Sequence, residues 1–288
     1  MIYLITVNYQ SRDLIARLLA SVELSSSEYQ FIIVNNSPED QAVQTLAGDR
    51  VHLLKAGQNL GFGRGCNLAL QWVYERDPGA IAWLINPDTL LPKGMLETAT
   101  QFCLNHPELS ILGTVILEPD GAVWFAGGEF NPMTGRIVAQ TDDRPLTAAV
   151  YQETPWVTGC SLLLNLRNFP ICPYFDQEFF LYYEDFDFCR RYAQQSHRIG
   201  VTQHIQVIHA PSSITSRHPA LKVQHSTYSY LLALERHTSR WVLGYRLGRI
   251  LGRALRVSMT EPETAIAIIK GVVRYGKRVS GFGQPNLY

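Results

Sequence analysis

Short apolar runs alternate with longer amphipathic stretches through the first 117 residues of the chain. Residues 2–7 form the first run, and Ser11, a residue suited to capping, precedes a helical period through Leu14, Leu18 and Leu19. Residues 31–34 read as a second buried strand, closed by the turn-forming Asn35-Asn36-Ser37-Pro38, and residues 51–54 as a third. A glycine-rich loop over residues 57–65 leads into a helix carrying Leu68, Leu70 and Trp72. A fourth strand over 81–85 stops at Asn86-Pro87-Asp88; a helix over 94–104 and a strand over 111–117 follow. Apolar strands joined by helices predict an α/β domain with a mostly parallel central sheet covered on both faces. Ligands of such sheets bind beyond the carboxyl ends of the strands. The polar clusters at Asn8, Asn35-Asn36 and Asn86-Pro87-Asp88 each follow a strand directly, so they are expected to converge on one crevice.

Beyond residue 120 the pattern loosens. Gly127-Gly128, Asn131-Pro132 and Gly135 predict hairpins, residues 156–164 a strand, and residues 205–208 a last strand. After about Ser216 the period is helical to near the end. At 288 residues the chain can hold one large α/β domain with an appendage. Lys and Arg balance Asp and Glu at 25 each, so no global field argues for nucleic acid. Cys66, Cys103, Cys160, Cys172 and Cys189 form no CxxC pair and sit in apolar surroundings, which suits reduced, buried thiols in a cytoplasmic protein. Residues 1–7 read as a strand, and no apolar run approaches a membrane span; the expectation is a soluble or peripheral protein.

Three segments carry candidate chemistry. Asp88, at the end of a strand, can hold a divalent cation together with phosphate oxygens, or simply cap the next helix. The run Asn59-Leu60-Gly61-Phe62-Gly63-Arg64-Gly65-Cys66-Asn67 brings backbone and a helix N-terminus to an anion, or serves as a flexible lead-in; its spacing is neither GxGxxG nor a P-loop. In Phe179-Phe180-Leu181-Tyr182-Tyr183-Glu184-Asp185-Phe186-Asp187, carboxylates lie among aromatics that would raise a carboxyl pKa toward general-base use. The plainer alternative is acids at a helix start, with Asp187 pairing Arg191 one turn on.

Taken in order, Asn8-Tyr9, Val34-Asn35-Asn36-Ser37, Asn59-x-Gly61-Phe62-x-x-Gly65-x-Asn67, Asn86-Pro87-Asp88, Trp156-x-x-Gly159, Phe175-Asp176-x-x-Phe179-Phe180, Glu184-Asp185-x-Asp187 and Val207-x-His209 resemble the family 2 glycosyltransferases of GT-A fold, in particular their rhamnosyltransferase-like branch. The resemblance covers about residues 1–215. It implies a Rossmann-like GT-A catalytic domain over 1–215 and a helical extension over 216–288. It further implies inverting transfer of a sugar from a nucleotide-diphosphate donor, with dTDP-L-rhamnose preferred and a UDP- or GDP-hexose as the alternative, to a hydroxyl of a glycan or polyprenyl-linked acceptor in bacterial surface-polysaccharide synthesis. Thr6, Asn8, Tyr9, Asn35, Asn59, Gly61, Arg64, Asn67 and Asn86 fall at donor-binding positions, and Trp156 and Gly159 at acceptor-binding ones. Asp88 and His209 fall where the family holds Mg2+ or Mn2+, and Asp185 where it has its catalytic base, with Glu184 beside it. Asn35 and Asn86 stand where the family usually has acids, which leaves a silent nucleotide-sugar-binding scaffold as the rival reading.

The C-terminal stretch is basic. Arg246, Arg249, Arg253 and Arg256 fall within an arc of about 80° on a helix. Thr260-x-x-Glu263 reads as a capping box that opens a second helix behind Pro262. Two roles stay open: a surface that brings the protein to the inner face of the plasma membrane and a lipid-linked acceptor, or a helical hairpin packed on the catalytic domain or on a second subunit as a homodimer. Gly244, Gly248 and Gly252, at four-residue steps, predict close helix packing.

Overall fold

The computed structural model describes residues 1–22, 28–141, 150–210 and 219–281. The alternation read from the first 117 residues becomes β1 (Ile2–Asn8), α1 (Arg12–Ser21), β2 (Tyr29–Asn35), β3 (Val51–Lys55), α2 (Phe62–Tyr74), β4 (Ile81–Ile85), β5 (Thr89–Leu90), α3 (Met95–Asn105) and β6 (Leu109–Leu117). Every residue of β1 and β4 is buried, as a strand covered on both faces requires. β1 pairs in parallel with β2 and β4, and β2 with β3.

The next strands are β7 (Val123–Phe125), β8 (Gly128–Asn131), β9 (Arg136–Ala139), β10 (Gln152–Glu153), β11 (Ser161–Asn165) and β12 (Arg198–His209), with α4 (Glu184–Gln194) between the last two. The main sheet runs β10-β12-β6-β11-β4-β1-β2-β3, with β5 paired to β12 and β7 to β6. β12 lies parallel to β6, whereas β11 is inserted antiparallel to both β4 and β6. Two parallel blocks are thus welded by one reversed strand. β8 and β9 form the expected hairpin outside this sheet.

Several local expectations change. Residues 156–158 take no regular structure and 159–160 form a turn, so the strand begins only at Ser161; the Trp156 ring packs against Phe125. α2 starts at Phe62, so Gly63 and Gly65 are helical; a Cβ at Gly65 would press on Val7 of β1, and the small residues let α2 sit close to the sheet. Ser11 is at the N-cap of α1, but its hydroxyl bonds the Asn8 side chain instead of the helix.

Three further helices close the chain: α5 (Pro219–His237), α6 (Arg240–Val257) and α7 (Pro262–Val279). The boundary expected at 215/216 lies outside the described residues. α5 and α7 meet α4 and the segment before it through a second apolar core in which Phe179 and Phe186 pack with Tyr228, Leu231, Leu232 and Tyr275. α7 begins at Pro262 behind Glu261, without the side-chain bonds of a capping box. Within the chain the glycines of α6 mediate no close packing among the described residues: a Cβ built at Gly244, Gly248 or Gly252 meets nothing within 4 Å. The inward face of α6 is instead Leu243, Leu247, Ile250 and Ala254.

Candidate active site

The carboxyl ends of β1 and β2 are joined through amides. Asn8 is fully buried; its Nδ2 donates to Asn35 Oδ1 at 3.1 Å and to Asp40 Oδ2 at 3.0 Å, while its Oδ1 accepts from the Ser11 amide and hydroxyl. Asn35 completes the set by accepting from the Ser37 amide and donating to the Asp40 carbonyl. An Asp at 35 would accept from Asn8 and Ser37 equally well but would lack the donor that meets the Asp40 carbonyl. The amide at 35 is therefore accounted for by its neighbours. Asp40, which the sequence reading passed over, is the acid that stands in this corner. Tyr9 is exposed beside it, and the Thr6 hydroxyl on β1 is buried with no hydrogen-bond partner among the described residues.

Asn36 pins the glycine-rich segment. It donates to Asn59 Oδ1 at 3.0 Å and the Gly61 carbonyl at 3.2 Å and accepts from the Leu60 amide at 2.8 Å. Gly61 has φ +80°, and a Cβ there would run into the Phe180 carbonyl, so glycine is required on both counts. Asn67, on the second turn of α2, clasps the Phe175 backbone with both ends of its amide, at 2.7 and 2.8 Å. Asn59 and Asn67 thus hold the loops in place. Arg64, half-buried in the first turn of α2, makes no hydrogen bond or ion pair among the described residues.

The strand-ending acid finds a partner. Asp88 Oδ2 lies 3.2 Å from His209 Nε2, with both side chains nearly buried. Antiparallel pairing of β5 with β12 sets Thr89 opposite His209, and the Trp124 ring packs edge-on against the imidazole. His209 Nδ1 is buried without a hydrogen-bond partner among the described residues. A carboxylate oxygen and an imidazole nitrogen at this separation fit Mg2+ or Mn2+. No group of three or more His, Cys, Asp or Glu assembles among the described residues, so oxygens of a bound diphosphate would have to complete the coordination.

The turn over residues 158–160 links this corner to the aromatic, acidic segment. The Asn86 amide donates to the Cys160 carbonyl, and the Gly159 amide donates to Asp185 Oδ2 at 2.9 Å. Burial and the charges of Asp88 and Asp185 push the Cys160 thiol well up, since both carboxylates lie near it. A Cβ on Gly159 would meet Phe62 at 2.7 Å, so this turn can approach Asp185 only as glycine. Trp156 donates from its indole to the Glu129 carbonyl and packs on Phe186.

Asp185 and Glu184 open α4. Burial raises the Asp185 pKa, against the bonds it accepts from Gly159, Phe186 and Thr158. Glu184 goes further: burial, then the neighbouring Asp185, push it up to about 8, and its Oε2 has no partner among the described residues. Tyr182 and Tyr183, immediately before them, both adopt left-handed backbone, at φ +70° and +62°. Such strain in two successive bulky residues persists only where surrounding packing enforces it, and it clusters at functional sites. Asp187, one turn into α4, is fully buried. Burial works against its charge, but bonds from His237 at 2.9 Å and Arg191 at 2.7 Å, with Arg236 nearby, hold its pKa below the ordinary value. The Arg191 pair is the one the spacing foretold. His237 and Arg236 close α5, far along the chain, and no local signal reveals them.

A sequence profile described as Glycosyl transferase family 2 matches residues 3–195. The hexosyltransferase Agl10 of low-salt glycan biosynthesis in Haloferax volcanii is 24% identical over 216 residues, spanning 72% of this chain and 66% of that protein, just under two thirds. The rhamnosyltransferase WbbL of Escherichia coli K12 is 26% identical over 226 residues, 73% of this chain and 83% of that protein. Among solved structures, the mannosyltransferase PcManGT of Pyrobaculum calidifontis, in complex with GDP-Man and Mn2+, superposes with a TM-score of 0.56 at 13% identity, covering 95% of this chain and 86% of that one.

Proposed function

The chain belongs to glycosyl transferase family 2, and on that premise we propose that it is an inverting, metal-dependent hexosyltransferase of surface-glycan assembly, with Asp185 as its catalytic base. The observation that supports the reading is the turn that bonds the Asn86 backbone and Asp185 from adjacent residues, which brings the Asp88–His209 pair near the acids of α4. The donor is a nucleotide-diphosphate sugar, with dTDP-L-rhamnose preferred because WbbL is a rhamnosyltransferase. A UDP- or GDP-hexose is the second reading, favoured by the hexosyltransferase Agl10 and by GDP-Man in PcManGT. The acceptor is a hydroxyl of a glycan or polyprenyl-linked glycan.

Asp185 takes the acceptor hydroxyl's proton as that oxygen attacks the anomeric carbon, and the bond to the diphosphate breaks on the opposite face. Its raised pKa makes it a stronger base than a surface carboxylate. Glu184, protonated at neutral pH, spares the site a second negative charge beside it. Asp88 and His209 would hold Mg2+ or Mn2+, which supplies charge to offset that developing on the departing diphosphate. Arg64, in the first turn of α2, would add positive charge to the helix N-terminus that favours a diphosphate. Thr6, Tyr9, Asn35 and Asp40 shape the nucleoside end, and Trp156 and Gly159 the acceptor end.

Release of nucleoside diphosphate from a panel of dTDP-, UDP- and GDP-sugars tests the reading. One donor should turn over, and Asp185→Asn should abolish turnover while still binding it. No turnover of any donor, or turnover untouched by the substitution, would return the silent scaffold as the better account.

A further inference from the structure

The outer face of α6 and α7 is apolar where a helix packed on one side should be polar. Trp241, Tyr245, Leu255 and Met259 are 89%, 58%, 76% and 91% exposed. With Gly248 and Gly252, Trp241, Tyr245 and Leu255 fall at steps of four, three, four and three, a single stripe opposite the face that packs inward, and Met259 stands exposed in the turn just beyond the helix. Ile266, Ile269 and Val273 form a shorter exposed stripe on α7. Nothing among the described residues covers the first stripe along its glycines.

The charge around these stripes is one-sided. Residues 240–281 hold nine Lys and Arg against two acids, whereas the whole chain balances at 25 each, leaving the other residues seven acids in excess. Arg249, Arg253 and Arg256 flank the α6 stripe, and Lys270 and Lys277 lie on the exposed face of α7. No helix of the described residues is long and apolar enough to cross a membrane, so this is a face and not a span. A second copy of the same face would set Arg249, Arg253, Arg256, Lys270 and Lys277 against their own copies, which disfavours self-association there.

We infer that the outer face of α6 and α7 docks flat on an anionic lipid bilayer, with Trp241, Tyr245, Leu255 and Met259 entering the headgroup boundary and the flanking basic residues meeting lipid phosphates. Trp and Tyr suit that depth because each has an apolar body and a polar edge. The acidic excess of the remaining chain is repelled by the same surface, so the molecule lands in one orientation. The inference stands on this surface alone and holds whichever sugar the site transfers.

The test is co-sedimentation of the full chain with vesicles of phosphatidylglycerol and phosphatidylcholine, against phosphatidylcholine alone. Binding is expected on the anionic vesicles, weakening as salt rises. Arg253→Gln with Arg256→Gln should lower the partition by on the order of tenfold or more, at about 1 kcal/mol per basic residue. Trp241→Ser with Leu255→Ser and Met259→Ser should abolish it, and these exposed positions should leave the melting temperature unchanged. Absence of binding at low salt, or binding that both variants retain, overturns the inference. So does a dimer by light scattering that the apolar variant alone dissociates, which would make a second copy the occupant.

Discussion

At the residue scale the site turns on two adjacent acids with different tasks. Asp185 keeps three donors on its carboxylate and remains the group that can ionise; Glu184, unbonded at Oε2, stays protonated to about pH 8. Asp185→Asn should lower kcat by about 10²–10⁴-fold, the usual worth of general-base assistance, with little change in donor affinity. Because Glu184 binds its proton more tightly folded than unfolded, its contribution to stability is complete below its ordinary pKa of 4.5 and is lost as pH rises to about 8. Glu184→Gln, which mimics the neutral form, should flatten that decline. Urea midpoints at pH 5 and pH 8 would show the variant gaining on the parent only at the higher pH, and equal declines would contradict the buried, protonated carboxyl. The acids themselves were legible in the sequence, since three carboxylates among aromatics announce themselves. The hydrogen-bond partners of Asn8, Asn35, Asn59 and Asn67 were not, because an amide reads the same whether it faces a ligand or a neighbouring backbone.

At the scale of elements, the first half of the sheet followed directly from apolar runs and their polar stops. The reversed strand β11 did not, for a buried run of Leu162, Leu163 and Leu164 carries no mark of direction. α4 is the element on which the site depends, and its anchor is remote. Asp187 gathers Arg191, Arg236 and His237, while Glu178 in the preceding loop binds Arg236 and Arg278. Removing Asp187 would leave the Arg191 guanidinium and the buried His237 ring without their carboxylate partner, while Arg236 keeps Asp176 and Glu178, so Asp187→Ala should cost about 3 kcal/mol in chemical denaturation. The contribution of Asp187 is complete above the ordinary carboxylate pKa of 3.8 and lost as pH falls through its lower folded-state value. Gly61→Ala tests the other anchor. A backbone at φ +80° and ψ −179°, a region essentially confined to glycine, alone disfavours alanine by about 1–3 kcal/mol, and the Phe180 carbonyl adds to that. The variant should be less stable than the parent and poorer in donor binding, and an unchanged urea midpoint would show that the approach is not tight.

At the scale of the molecule, two apolar cores hold the sheet and the C-terminal helices, and α4 contributes to both. The helices were visible from their period, and their basic charge from a count. That α6 turns its glycines and aromatics outward was not, because a helix with two apolar faces gives no sign of which one packs. The central claim is that the crevice binds a nucleoside diphosphate through a metal held at Asp88 and His209. It is tested most directly by melting temperatures with dTDP, UDP and GDP, each with and without Mn2+, for the parent and for Asp88→Asn. A ligand at 100 times its dissociation constant adds about 2.7 kcal/mol, which for a chain of this size is on the order of 5 °C or more. The account predicts that shift for one diphosphate, in the parent, only with the metal present, and its loss in Asp88→Asn. A melting temperature indifferent to every diphosphate, or a shift that ignores both the metal and Asp88, would contradict it.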